Sequence, residues 1–157
     1  MNIRIKIVSA LFGVWAVNAA YAEVEGLAPV TVAGGGVEVR VEGLSSSQGT
    51  VYASIFLQPE GFPGDKAMAF AYRAVAAQDG TVVLLFEEVP AGEIVVAVLH
   101  DADENEELSF NLLGMPKEDY GFSRDARAMF GPPPFEKAAV SLQPGEIKTL
   151  TVRVNKV

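Results

Sequence analysis

The chain has 157 residues, with 12 basic and 20 acidic side chains and no cysteine. That length suits one domain with a real core, and the missing cysteines exclude disulfides, thiol chemistry and cysteine-ligated zinc. A formal charge of −8 argues against a nucleic-acid partner, because phosphate backbones are repelled, and favours cations or basic surfaces.

Residues 1–22 read as a secretory signal peptide. Arg4 and Lys6 precede the apolar stretch Ile7 to Val17, and Ala20-Tyr21-Ala22 offers a small-x-small cleavage site before Glu23. The apolar stretch is shorter than the roughly 20 residues a membrane span requires. No later run is longer, so no transmembrane segment is expected after cleavage. The expected product is an exported protein, periplasmic or extracellular, with 10 basic and 20 acidic residues left. Trp15, the sole tryptophan, would leave with the signal.

Residues 23–36 form an expected flexible leader ending in Ala33-Gly34-Gly35-Gly36, and 37–157 an expected single domain. Val37 to Glu42 alternates apolar and charged residues, the period of a strand with one wet face. After the turn Ser45 to Gly49, Thr50 to Leu57 alternates again, with Val51, Ala53, Ile55 and Leu57 on one side and Tyr52, Ser54 and Phe56 on the other. Gln58 to Lys66, with two prolines and two glycines, is a loop. Met68 to Ala76 is the next expected strand, although its alanines also suit a helix. Thr81 to Val89 and Ile94 to His100 follow, separated by Pro90-Ala91-Gly92. Ala138 to Leu142 and Ile147 to Val154 flank the turn Gln143-Pro144-Gly145. About seven short strands at this spacing predict an all-β fold, an antiparallel two-sheet sandwich with Greek-key connections. No β-α-β rhythm suggests a parallel sheet.

The most informative segment follows His100. Side-chain oxygens recur at every second position: Asp101, Asp103, Asn105, Glu107 and Ser109. A loop curling around a hard cation needs that spacing, so these five residues form a candidate calcium site, with Glu107 contributing its carbonyl. A calcium loop of this kind places Gly at the sixth position and Glu at the twelfth; Glu106 and Leu112 stand there. An acidic residue from outside the loop, such as Glu118 or Asp119, would have to close it. The bland alternative is a solvated acidic turn.

From Asp101 to Lys137 the strand pattern lapses, which predicts one long ordered loop, and long loops in small domains are often functional. Its aromatic residues Tyr120, Phe122, Phe130 and Phe135 are too apolar for a solvated tail. They either pin the loop to the sandwich or line a partner surface, which Phe62 and Pro63 could join. Ser123 is placed to cap one or two helical turns over 124–129.

These motifs taken in order are His100-Asp101 with its Asp/Asn-rich loop, Gly114-Met115-Pro116-Lys117-Glu118, Tyr120-Gly121-Phe122-Ser123 and Pro133-Pro134-Phe135-Glu136-Lys137-Ala138. Together they resemble the exported bacterial family catalogued as domain of unknown function 2141. The resemblance covers roughly Val37 to Val154. It implies a small exported β-sandwich of transthyretin-like type and no established activity. The family's loop resembles His-Asp-x-Asn-x-Asn-Gly-x-x-Asp; here Glu106 replaces the Gly and Ser109 the final Asp.

Catalytic equipment is sparse. His100 is the sole histidine, whereas catalytic metal sites take two or three nitrogen or carboxylate ligands. Ser123, in Gly121-Phe122-Ser123-Arg124-Asp125, lacks the second Gly of a nucleophile elbow, although triads are defined by geometry rather than by motif. The leading expectation is a non-enzymatic binding or structural module of the cell envelope, with an envelope protein, peptide or glycan as partner and no certain cofactor beyond the candidate calcium. The alternative is a metal-dependent or serine hydrolase centred on His100.

Overall fold

The computed structural model describes residues 34–112, 116–128 and 131–154. The expected signal peptide, most of the expected leader and Phe130 lie outside these residues. Eight strands are found among them: β1 (Gly35–Glu42), β2 (Thr50–Phe56), β3 (Ala71–Ala76), β4 (Val82–Val89), β5 (Gly92–Asp101), β6 (Asp119–Phe122), β7 (Val140–Leu142) and β8 (Ile147–Arg153). Sheet A has the order β4-β1-β8, and sheet B the order β3-β2-β5-β6 with β7 also paired to β5.

The alternation in the sequence builds the sandwich directly. Val37, Val39 and Val41 of β1 turn inward, as do Val82, Leu84 and Phe86 of β4. They meet Val51, Ala53 and Ile55 of β2 and Ile94, Val96 and Val98 of β5. This inter-sheet core supplies the bulk of the apolar burial that drives folding. β5 carries Val95 and Ala97 on its other face, and these are buried too, in a second apolar cluster with Phe56, Phe122, Phe135, Ala138 and Ala139. Sheet B is therefore apolar on both faces, and its outer face is roofed by the loop after β2 and by the segment around Phe135.

Four expectations are corrected. The sandwich is not wholly antiparallel, because β1 and β8 run parallel, with Val39 beside Leu150 and Val41 beside Val152. The first strand begins at Gly35 rather than Val37, and Gly35 lies so close to the Glu146 carbonyl and Leu142 that no Cβ fits. The third strand begins at Ala71 rather than Met68. Asp65 draws the preceding backbone into a turn by accepting the Ala67 amide on its side chain (2.9 Å) and the Met68 amide on its carbonyl (3.1 Å). Met68 and Phe70 are consequently 44% exposed.

The fourth correction concerns the long excursion, which is not a single loop. It contains β6, antiparallel to β5 with His100 beside Asp119, then a 3-10 turn, Ser123–Asp125, and one helical turn, α1 (Phe135–Ala138). β6 is held near sheet A at Gly121, where an added Cβ would lie 2.9 Å from the Arg153 carbonyl oxygen.

Candidate functional site

Strand β5 delivers His100 and Asp101 to the edge where the acidic loop leaves the sheet. Asp101 is fully buried and acts as the loop's hub: its Oδ1 accepts the Asn105 amide (3.1 Å) and its Oδ2 the Glu106 amide (2.7 Å). Glu118 closes the other side. Its Oε1 accepts the Ala102 amide (3.2 Å) and its Oε2 the Ser109 amide (3.0 Å). The chain brings Glu118 back by pairing Phe110 with Pro116, assisted by the Lys117 amide on the Ser109 carbonyl (2.8 Å). Two buried carboxylates thus take up four loop amides, the kind of pairing that buried charge requires.

The five expected calcium ligands divide. Asp101 and Asp103 come together with Glu118, each offering an oxygen within 4.8 Å of the others. Asn105 and Ser109 instead bond one another, Nδ2 to Oγ at 2.6 Å, and the Asn105 Oδ1 accepts the Glu107 amide (2.8 Å). Glu107 lies at the mouth of a neighbouring cleft. Glu106 has φ 63°, the left-handed backbone that favours glycine and costs other residues about 1–2 kcal/mol. A bend that suits Gly is therefore made here with Glu106.

His100 is buried with both ring nitrogens engaged. Nε2 donates to the Gln48 carbonyl (2.8 Å), and Nδ1 lies 3.2 Å from the Asp119 Oδ2. The same Asp119 oxygen accepts the Ser45 amide (2.7 Å). The pair ties the β5–β6 edge to the turn after β1.

Ser123 does not cap the 3-10 turn; no side-chain cap bond is made there, and Arg124 breaks the helical backbone with φ 62°. Its buried hydroxyl accepts the Val96 amide (3.0 Å) and donates to the Ala138 carbonyl (2.6 Å). Val96 stands four residues before His100 on β5, about 13 Å along the strand. Ser123 and His100 therefore serve different ends of β5 and form no nucleophile–base pair.

Phe122 and Phe135 are buried and pin the excursion to sheet B through Phe62, whose ring meets theirs edge-on at 5.4 and 5.9 Å. Tyr120 is half-buried and borders a cleft of about 330 Å³ over the outer face of sheet B. Tyr52 and Ser54 of β2, Leu99 of β5, Pro63 and Lys66 line it with Tyr120.

A model of the family described as "uncharacterized protein conserved in bacteria (DUF2141)" matches residues 39–149. The chain belongs to this family. No curated protein and no solved structure matches it.

In this DUF2141 chain, Tyr52 and Lys66 escape sequence reasoning, because one reads as an ordinary strand residue and the other as loop. The Lys66 Nζ sits 4.4 Å above the Tyr52 ring centroid and 3.4 Å from the Glu106 Oε2. Burial first, and then the negative charges of Glu106, Asp101 and Glu104, push the Tyr52 hydroxyl above its ordinary pKa of 10.0. Neutral tyrosine is thus favoured in the folded state. This contribution is fully present below about pH 10, the unfolded value, and is lost as pH rises through the folded one. A tyrosinate absorbance titration should show one tyrosine ionising late, and Glu106→Gln should bring that step earlier. Unchanged titration in the variant would contradict the assignment.

Proposed function

We propose that this protein is an exported, non-enzymatic binding module of the bacterial envelope, whose loop 101–109 is completed by calcium between Asp101, Asp103 and Glu118. One observation carries this reading: three carboxylates converge within 4.8 Å, two of them buried, and no described basic side chain pairs with any of them. Like charges at that separation repel, most strongly away from water. A hard divalent ion offsets the repulsion, and oxygens on opposite sides of calcium, at 2.3–2.6 Å each, stand about 5 Å apart. Carbonyls and water would fill the remaining positions. The signal-like residues 1–22 support export, and the engagement of His100 and Ser123 in separate structural bonds supports the absence of catalysis.

The site resembles weak extracellular calcium modules, with an expected Kd of about 10⁻⁴ to 10⁻³ M. At about 5 mM calcium this predicts roughly 1–2 kcal/mol of added stability and a rise of a few degrees in melting temperature over chelator. Asp103→Asn is the clean control. Asp103 is exposed and carries none of the loop's amide bonds, so the variant should fold normally and lose most of the shift. Identical melting with calcium, magnesium and chelator would sink the proposal.

A further inference from the structure

A second, shallower hollow adjoins the cleft on sheet B. Gly64, Lys66, Glu106 and Glu107 line both, and the hollow adds Asp65 and Glu104. One end is thus apolar, floored by Leu99 and the rings of Tyr52 and Tyr120, and the other is ringed by carboxylates. Lys66 is the sole basic residue lining either part among the described residues.

Lys66 itself marks what the junction holds. Its ammonium lies over the Tyr52 ring and reaches the Glu106 carbonyl (3.2 Å) and carboxylate (3.4 Å). An ammonium on an alkyl stem is what an aromatic face beside a carboxylate attracts. These contacts are long and the side chain is about one-third exposed, so the seat is held loosely. Burial first, and then the charges of Glu106, Asp101 and Glu104, raise the Tyr52 pKa, in keeping with the acidic surroundings of this seat.

We propose that the cleft binds a short aliphatic di- or polyamine. One ammonium displaces Lys66 from Tyr52 and Glu106, the alkyl chain lies along Leu99 and Tyr120, and a further ammonium reaches Glu104 and Asp65 in the hollow. A volume of about 330 Å³ falls at the lower end for small-ligand clefts, which favours a free amine over a folded partner. The inference rests on the reading as a binding module but not on calcium, because neither amine seat uses Asp103 or Glu118. Asp101 links the two by holding the Glu106 amide.

The test is calorimetric titration of the full chain with spermidine, with and without calcium. One saturable site is expected. Lys66→Met keeps the stem and removes the competing charge, so it should tighten binding about two- to five-fold, the worth of an exposed cation–π contact and ion pair. Glu106→Gln should weaken binding by a similar factor. Amide shifts on β2 and β5 at Tyr52 and Leu99 should locate the ligand. Equal affinity in wild type and Lys66→Met, or displacement by magnesium at matched charge, would reduce the effect to general attraction by an acidic surface and overturn the proposal. Binding of a lysine-rich peptide without spermidine would also overturn it. If amine binding fails while the Asp103-dependent calcium shift persists, only this inference falls; the converse removes calcium alone.

Discussion

Replacing His100 with alanine is expected to lower the unfolding free energy by about 3 kcal/mol. The ring is fully buried and joins three segments: β5 itself, the Gln48 carbonyl and Asp119 at the start of β6. Among the described residues, its loss leaves the buried Asp119 carboxylate with only the Ser45 amide, removes the part-buried bond to the Gln48 carbonyl and opens a ring-sized void. Each unsatisfied buried group costs about 1–3 kcal/mol, and a domain of this size loses roughly 3–6 °C in melting temperature per kcal/mol. A fall of about 10 °C or more is the expected reading. A catalytic or metal-ligating histidine would behave differently, because its removal would abolish an activity while leaving stability nearly unchanged. A melting temperature within about 2 °C of wild type would therefore contradict the structural role.

The second large effect is expected at Ser123. Ser123→Ala removes one oxygen and should still cost about 3 kcal/mol, because that oxygen serves two buried backbone groups, the Val96 amide and the Ala138 carbonyl. The bond to Ala138 fastens α1 to the sheet and so holds Phe135 in the outer apolar cluster. Urea unfolding should show a lower midpoint with an unchanged slope. A nucleophilic serine would instead react with a fluorophosphonate, and labelling at Ser123 would favour the hydrolase alternative.

Much of the sandwich was legible because burial on one face imposes a period of two. Val37, Val39 and Val41 declare β1 as plainly as Val152 beside Arg153 declares β8. Alternation carries no direction, however. It reads the same beside a parallel or an antiparallel neighbour, which is why the β1–β8 pairing could not be seen. β6 was hidden for a different reason: four residues that include a glycine, among turn formers, present no period at all. At the site, the oxygen-bearing residues from Asp101 onward were visible as a pattern and Glu118 was one of two candidates to close it, but the contacts that bring these groups together were not. Glu118 reaches the loop only through the return at Phe110 and Pro116, and the importance of Lys66 depends on Tyr52, which β2 alone positions. Asn105 and Ser109 look like ligands in sequence; in space, satisfying each other is the shorter path.

The parallel seam in sheet A also governs how the molecule can be assembled. Gly36 and Ile147 are register partners about 110 positions apart, so this contact closes one of the longest loops the polypeptide can form. Such non-local pairing slows folding and delays the entropic return on it. A nascent chain that has emerged only as far as β7 could zip most of sheet B yet would leave β1 with an unclaimed margin, a template for pairing with other molecules. Aggregation during synthesis, rather than instability once formed, is the hazard this topology creates.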